Sequence, residues 1–514
     1  MEHLDFVFDL VRENDWFCSI DMADAYFAVN IHPDHWKYLK FIWKGILWEY
    51  RVMVFGLSQA PFIFTKLLKP VLAILRSSHL LRCSLYLDDI ILMDQDMNSL
   101  TQNVQTTVEL LSSLGFQINH TKSVFSPTQN IKHLGFFINS RTLTVSVPPE
   151  KREHIQNLCK QLISSHSRCI IRDVARVVGS LVAYCQGTKE GRLHYRNLER
   201  DKIMALRKQL GNFDGFMSLS NDAMQDLSFW TCAKNYFPRS FRQQPVHFEI
   251  FSDASHKGWG GSCNGSKTGG RWQSDELGNH INWLELKAGL LAIQSFASDL
   301  SHKHFILRMD NTCAIHYLNN QGGVVASLDS LTKEIWGWCN ARNLSFFAAY
   351  IPGQENVTAD FQSRNFKDNT EWSLNDKEFL RIVETFGIPD IDLFASRLNC
   401  KVQKFISWQP DPTSFAVDAF SMDWGKLGLC YAFPPFSLVG KVINKAARDG
   451  AKLLLVAPSW RSQYWFPLIS NYALEHPLRL SVSRNTIYLA HDKTVSHPIW
   501  DKLKLHCFRI SGRR

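Results

Sequence analysis

Apolar residues along this chain follow two patterns. Some form short uninterrupted runs that end on an acidic residue, and such runs predict buried β-strands. Others recur every three or four positions over longer stretches, which predicts amphipathic helices. The helical stretches lie at about 61–75, 98–114, 155–163, 170–185, 220–235 and 281–296. The mixture predicts a multidomain chain that combines α+β and α/β folds.

The run from Leu81 to Met93 stands out because two adjacent acids interrupt it. A tight hairpin with Asp88 and Asp89 at its bend accounts for charges in so apolar a run. Carboxylates at a bend suit either ordinary turn chemistry or a site for a hard cation such as Mg²⁺. The hairpin residues alone leave both interpretations open.

The chain before this hairpin supplies a third acid. An apolar run ends on Asp21, aromatic-rich strands flank a predicted turn at Lys44-Gly45, and a loop at 55–61 opens a helix. This order places Asp21 on a strand next to the hairpin. Carboxylates that converge there can hold two Mg²⁺ ions for in-line phosphoryl transfer.

Four further acids follow the same pattern between residues 246 and 366. Asp253 and Asp310 end predicted strands, whereas Glu285 and Asp360 lie in the first turns of predicted helices. Crowded carboxylates repel one another unless cations neutralise them. We therefore predict a two-metal site at one edge of a mixed sheet, able to activate water against a phosphodiester. The alternative is four unrelated surface acids.

Composition narrows the class of partner and compartment. The 514 residues carry a net charge of +9 with 16 Trp and 35 Phe, which suits a polyanion with bases available for stacking. The 12 Cys include no Cys-x-x-Cys pair, so we expect a reduced intracellular compartment, cytoplasmic or nuclear, without a disulfide framework. No apolar stretch of about 18 residues predicts a membrane span.

Five blocks between residues 5 and 140 resemble, in order and spacing, the palm motifs of reverse transcriptases. The blocks are Asp21-x-x-Asp24-Ala25-Tyr26, Phe55-Gly56-Leu57-x-x-Ala60-Pro61, Tyr86-Leu87-Asp88-Asp89, Leu114-Gly115-Phe116 with Lys122, and Leu134-Gly135-Phe136. The resemblance implies a palm over residues 1–145. It also implies that Asp21, Asp88 and Asp89 are catalytic and bind two Mg²⁺ ions, with Mn²⁺ as the alternative ion.

The same resemblance implies roles for three other residues. Tyr26 would stack under the incoming sugar and exclude a 2′-hydroxyl, and Gln59 would contact template or nucleotide. Lys122 would protonate pyrophosphate, or be a solvated loop lysine. The implied partners are an RNA template, a DNA primer and deoxynucleoside triphosphates. Family members carry a fingers region before the first block, and only about twenty residues precede Asp21, so we expect a sequence truncated at this end.

The next two segments also resemble parts of retroelement enzymes. Residues 146–245 resemble a helical thumb and connection, whose basic residues either hold a duplex through its phosphates or face solvent. Residues 246–366 resemble the ribonuclease H fold. This resemblance implies that Asp253, Glu285, Asp310 and Asp360 are metal-binding catalytic acids that act on an RNA–DNA hybrid. Cellular members have a mobile loop histidine that the loop Gly353–Asn356 lacks.

Residues 367–514 predict a linker around 368–372 and then an open α/β sheet. This part resembles phage-type adenine methyltransferases. Phe433 occupies the polar position before Pro-Pro that binds the amine of a flipped base, so we expect a methyltransferase-like domain without activity.

The order of the blocks resembles the polyproteins of DIRS-like retrotransposons. Those polyproteins also encode a downstream recombinase, so we expect truncation at the C-terminal end too. The leading hypothesis is an RNA-directed DNA polymerase with ribonuclease H activity. The alternatives are a ribonuclease H alone, a silent nucleic-acid-binding remnant and a methyltransferase.

Overall fold

The computed structural model describes residues 2–242, 244–366 and 371–512. The chain divides into two compact units, residues 1–243 and 244–514. Within the described ranges, no helix is both long and apolar enough to cross a lipid bilayer.

The first unit begins as an α+β layer and continues as a helical bundle. Its helices are α1 (Leu4–Leu10), α2 (Pro33–Trp36), α3 (Ala60–Ser77), α4 (Met97–Ser113), α5 (Pro149–Ser164), α6 (Ile171–Tyr184), α7 (Arg196–Lys208) and α8 (Asn221–Thr231). Its strands are β1 (Trp16–Ala23), β2 (Lys40–Trp43), β3 (Ile46–Glu49), β4 (Arg82–Tyr86), β5 (Asp89–Asp94), β6 (Gln117–Ile118), β7 (Val124–Thr128), β8 (Asn130–His133), β9 (Phe136–Asn139), β10 (Thr144–Ser146), β11 (Cys169–Ile170), β12 (Phe216–Met217) and β13 (Arg239–Ser240).

Two predicted hairpin turns are confirmed. Lys44 and Gly45 have φ of 48° and 78°, the left-handed values of a two-residue hairpin turn between β2 and β3. β4 and β5 pair from Arg82↔Met93 to Tyr86↔Asp89, so Leu87 and Asp88 form the second turn. Most of the basic segment after α6 folds as helix α7.

The central sheet of the first unit has the strand order β4-β5-β1-β6, and β7 also pairs with β1. Both of its faces are covered. Ile90 and Leu92 of β5 pack against α3 and α4, whereas Ile91 and Met93 pack towards β8, β9 and β10. This two-sided burial explains why β5 is an uninterrupted apolar run and not an alternating one. Helices α5 to α8 enclose a separate core around Trp230.

The described part of the second unit contains two five-stranded sheets, a three-stranded sheet, a two-stranded sheet and several helices. Its helices are α9 (Ile281–Ala297), α10 (Thr312–Asn319), α11 (Ala326–Asn340), α12 (Val357–Arg364), α13 (Asp376–Phe386), α14 (Val439–Asp449) and α15 (Phe466–Tyr472). Its strands are β14 (Phe248–Ala254), β15 (Gly258–Cys263), β16 (Ser266–Arg271), β17 (His304–Met309), β18 (Ser345–Tyr350), β19 (Trp372–Leu374), β20 (Ile391–Asp392), β21 (Ile406–Ser407), β22 (Ala416–Val417), β23 (Leu429–Ala432), β24 (Lys452–Pro458), β25 (Leu478–Arg479), β26 (Ile487–Leu489), β27 (Asp492–Ser496) and β28 (Leu505–Ser511).

The first sheet of this unit is mixed, with the order β16-β15-β14-β17-β18. β14, β17 and β18 run parallel, and β15 and β16 complete an antiparallel meander with β14. Helix α12 packs so closely on β15 that a Cβ added at Gly260 would lie 2.1 Å from the carbonyl oxygen of Ala359. Glycine at this position therefore lets the helix approach the sheet.

The second sheet has the order β20-β23-β24-β28-β25, with β20, β23 and β24 parallel and β28 antiparallel to its neighbours. The predicted linker is partly wrong, because Trp372 already belongs to β19, which pairs with β26. The rest of that prediction, residues 368–370, lies outside the described residues. Arg397, after β20, donates to both carboxylate oxygens of Glu276, after β16, at 3.0 and 2.8 Å, and so connects the two five-stranded sheets of the unit through their loops.

Candidate active sites

The first candidate site lies where β1 meets the β4–β5 hairpin. Asp21 on β1 is the direct cross-strand partner of Asp89 on β5. Asp88 lies in the turn, and its carbonyl oxygen accepts a hydrogen bond from the Met22 amide at 3.0 Å. The side chains of these three acids are all partly exposed. Backbone pairing thus brings the three predicted polymerase acids to one end of the central sheet.

The pKa of Asp21 reflects the charges that surround it. The pKa of the Asp21 carboxyl is raised by burial first, and further by the negative charges of Asp88 and Asp89. The positive charge of Lys122 and a hydrogen bond from Asn119 oppose that rise. Lys122 is therefore near enough to influence Asp21, although its own side chain is exposed.

Of the predicted substrate residues, Tyr26 and Lys122 lie close enough to this acidic end to interact electrostatically with it. Tyr26 is buried, and its ring centroid lies 5.0 Å from that of Phe55 and 5.4 Å from that of Phe64. Burial raises the pKa of the Tyr26 phenol, and the charge of Asp88 adds to the rise. Gln59 is exposed and immediately precedes helix α3. Tyr26 is thus held rigidly beside Asp88, whereas Gln59 is free to reach solvent.

The second candidate site is more compact. Asp253 near the end of β14, Glu285 on α9 and Asp310 just after β17 have carboxylate oxygens that all lie within 4.8 Å of one another. Among the described residues, this is the one group of three or more acidic, His or Cys side chains that close together. Asp21, Asp88 and Asp89 are not gathered as tightly. Helix α9 starts at Ile281 as predicted, and Glu285 is its fifth residue, just past the first turn in which it was expected.

The carboxylates of Asp253, Glu285 and Asp310 lie close together, and the residues Asp253 and Glu285 are buried. Burial raises the pKa of Glu285 to about 9, and the charges of Asp253 and Asp310 contribute to the rise. Burial likewise raises the pKa of Asp253 to about 6, although a hydrogen bond from Ser363 opposes it. One oxygen of Glu285, Oε2, is buried without a hydrogen-bond partner. Close carboxylates with an unused oxygen are a donor set that fits a hard divalent cation.

Asp360, the fourth predicted acid, does not join the trio. It lies in the first turn of α12 as predicted, but its carboxylate accepts a hydrogen bond from Nε of Arg364 at 2.7 Å. Its negative charge still contributes to the raised pKa of Asp253. In this structure Asp360 and Arg364 form a charged pair beside the three converging acids.

Sequence reasoning assigned no role to several residues that support these sites. Ser363 donates to Asp253 at 2.6 Å, and Asn356 donates to the carbonyl of Ser252 at 2.9 Å. Ser363 and Arg364 lie three and four positions after Asp360, about one helical turn away. This spacing was the local feature from which their proximity to Asp360 could have been predicted. His133, in β8, carried no such signal, and its ring lies 3.4 Å from Asp89.

A third site is a cavity of about 660 Å³ in the C-terminal sheet domain. Its lining is mostly aromatic and apolar, with a few polar groups. The aromatic side chains are Trp372, Phe394, Trp408, Phe420, Phe433 and Phe436, and the acidic ones are Glu371 and Asp418. Phe433 follows β23 directly and is one of the cavity walls. A phenyl ring there can accept no hydrogen bond from an amine.

Comparison with known proteins identifies two families. Residues 5–138 match the family described as reverse transcriptase (RNA-dependent DNA polymerase). Residues 362–476 match the family described as DNA N-6-adenine-methyltransferase (Dam). The chain thus contains a reverse transcriptase domain and a Dam-like methyltransferase domain. The first match covers the site of Asp21, Asp88 and Asp89, and the second covers Phe433.

Relatives of this chain include polyproteins from a virus and a transposon. The enzymatic polyprotein of Figwort mosaic virus is 23% identical over 378 residues, which are 70% of this chain and 52% of that protein. The retrovirus-related Pol polyprotein from transposon opus of Drosophila melanogaster is 24% identical over 183 residues, 34% of this chain and 18% of that protein. The chain therefore spans about half the length of the viral relative. A foamy viral protease-reverse transcriptase solved with an RNA/DNA hybrid is 15% identical, with a TM-score of 0.37 over 66% of this chain and 44% of that one.

The raised pKa of Glu285 predicts how pH affects stability when no divalent ion is present. The folded state holds the Glu285 proton up to pH of about 9, whereas the unfolded chain releases it near 4.5. Stability from this group is therefore complete below pH 4.5 and is lost as pH rises towards 9. Glu285→Gln removes that loss. We expect its Tm in EDTA at pH 8 to exceed that of the wild type by at least about 2 °C, the effect of roughly 1 kcal/mol.

The control for this experiment is Asp275→Asn, which changes an exposed acid of the same unit. The Tm of Asp275→Asn should equal that of the wild type at pH 8 and at pH 4.5. At pH 4.5 the Glu285→Gln and wild-type proteins should melt together. A Glu285→Gln variant that is no more stable than the wild type at pH 8 would contradict the assignment of a buried, crowded carboxyl.

Proposed function

We propose that this chain is an RNA-directed DNA polymerase joined to a ribonuclease H, of the kind that DIRS-like retrotransposon polyproteins carry. The polymerase half is supported by the reverse transcriptase family match together with the pairing of Asp21 and Asp89 on adjacent strands. Its partners would be an RNA template, a DNA primer and deoxynucleoside triphosphates.

In the polymerase half, Asp21, Asp88 and Asp89 would hold Mg²⁺, or Mn²⁺ in its place. Bound divalent ions lower the pKa of an attacking hydroxyl and stabilise the leaving oxygen. Tyr26 would form a rigid floor for the sugar, because its ring is fixed between Phe55 and Phe64. Lys122 already acts electrostatically on Asp21 and would stand near the departing pyrophosphate.

The ribonuclease H half is supported by the trio of Asp253, Glu285 and Asp310 on a mixed sheet. These acids would hold Mg²⁺ and orient water against the RNA strand of an RNA–DNA hybrid. Ser363 would keep the carboxylate of Asp253 in place through the hydrogen bond it donates. Asp360 would join them on release from Arg364, or act through its charge alone.

A ribonuclease H without polymerase activity is the second candidate. The observation that favours it is the difference between the two sites, since only the ribonuclease acids lie within 4.8 Å of one another in the described part of the chain. Separate assays of the two reactions distinguish the candidates.

The first assay follows a labelled RNA–DNA hybrid in Mg²⁺. We expect cleavage of the RNA strand by the wild-type chain. Loss of an outer partner of a metal ligand costs roughly 10- to 100-fold, so the loss of two ligands in Asp253→Asn/Asp310→Asn should cost at least as much. Asp275→Asn is the matched exposed control and should cleave like the wild type. Equal cleavage by the double variant would refute the ribonuclease assignment.

The second assay is extension of a DNA primer on an RNA template. Extension by the wild-type chain should fall at least about tenfold in Asp88→Asn, because the turn carboxylate would be lost as a metal ligand. Asp9→Asn changes an exposed acid of the same unit and serves as the control. Hybrid cleavage without any primer extension would leave the second candidate, the ribonuclease H alone.

We further propose that the Dam-like domain does not methylate adenine. Phe433 supports this, since it lines the cavity where an amine acceptor is required. Incubation of adenine-rich DNA with methyl-labelled S-adenosylmethionine should transfer no more label with the wild type than with Phe433→Ala. Calorimetry would show whether the cofactor binds at all, and transfer above the Phe433→Ala level would contradict the proposal.

A further inference from the structure

His133 is a buried polar residue beside the polymerase acids. It ends strand β8, and its side chain is completely shielded from solvent. Nδ1 of the imidazole lies 3.4 Å from Oδ2 of Asp89. Neither ring nitrogen makes a hydrogen bond in this structure. Among the described residues, the charged group paired with this ring is therefore the carboxylate of Asp89, in the candidate polymerase site.

The surroundings of the ring make its polarity costly. Ile131 on the same strand and Phe136 opposite it belong to the apolar cluster that also contains Ile91 of β5. A buried polar group left without a hydrogen bond destabilises the folded state, because it loses its contacts with water and gains none in the protein. An apolar side chain of similar size would avoid this cost, so the imidazole calls for an explanation in terms of the neighbouring carboxylate of Asp89.

The backbone holds the ring in place. His133 pairs with Phe136 across the β8–β9 hairpin, and the two turn residues Leu134 and Gly135 have φ of 45° and 85°. Such two-residue turns fix the register of a hairpin. Asp89 is fixed equally well, because it pairs with both Tyr86 and Asp21. The imidazole and the carboxylate thus face each other from two rigid elements.

We propose that His133 is a positioning residue for Asp89. With hydrogen on Nδ1, a small rotation of the ring would let it donate to Oδ2 and hold the carboxylate rotamer, which would leave Oδ1 for a divalent cation. Hydrogen bonds from buried partners orient ligating carboxylates in this way. The role rests on the proposed polymerase function, since it gives Asp89 a metal to bind.

The test measures Mn²⁺ affinity by electron paramagnetic resonance, without any assay of activity. Asp253→Asn/Asp310→Asn serves as the parent, so that the ribonuclease acids do not contribute. We expect His133→Phe to weaken binding by roughly tenfold or more, the usual effect of removing such a partner. His133→Asn keeps a side-chain N–H and should stay within about threefold of the parent. A purely structural role would not give rescue by Asn together with loss in Phe.

Two results would overturn the proposal, and they differ in what else they affect. If the parent binds Mn²⁺ and His133→Phe binds it equally well, the positioning role is wrong and the polymerase site stands. If the parent binds no more Mn²⁺ than its Asp88→Asn derivative, the proposed polymerase site fails as well.

A second measurement covers the case in which His133→Phe does not fold. The imidazole nitrogens of the parent are observed by NMR after labelling with ¹⁵N-histidine, and the His133 signals are those that disappear in His133→Asn. Asp89→Asn should shift the Nδ1 signal, because it replaces the carboxylate acceptor. An unchanged Nδ1 signal would overturn the proposal.

Discussion

Repulsion between carboxylates confined in a small volume is the constraint on which both candidate sites depend. Removal from water makes that repulsion stronger, because a low dielectric screens charge poorly. Burial and the neighbouring charges of Asp253 and Asp310 raise the pKa of Glu285 to about 9, so its negative charge is unfavourable in the absence of a cation. A divalent ion reverses the balance, since it turns crowded charge into a ligand set. The crowded acids therefore form a site whose negative charge a bound divalent cation would balance.

Such a site needs a scaffold that does not yield to the repulsion. In the second unit, three different elements supply one acid each, and Gly260 lets helix α12 lie against β15 so that Ser363 reaches Asp253. In the first unit, cross-strand pairing holds Asp21 opposite Asp89. The carboxylates of Asp253, Glu285 and Asp310 are gathered more tightly than those of Asp21, Asp88 and Asp89 in the described part of the chain.

The Dam-like domain belongs to the same compact unit as the mixed sheet that carries Asp253. Arg397 donates to Glu276 through two hydrogen bonds and to the carbonyl of Arg271 at 3.1 Å. This ion pair is largely buried, and breaking such a pair by removing one partner costs about 3–5 kcal/mol. The domain therefore contributes to the stability of the unit, whether or not its cavity binds a ligand.

The sequence by itself determined the local features. The Asp88 hairpin, the Lys44-Gly45 turn, the strand ending near Asp253 and the helix beginning near Asp360 all follow from short-range periodicity and turn chemistry. Tertiary structure alone decided which acids converge, because contacts such as Ser363 with Asp253 join residues 110 positions apart. It also buried His133 beside Asp89. Local patterns predict where a strand ends, but packing and the balance of charges decide what its last carboxylate meets.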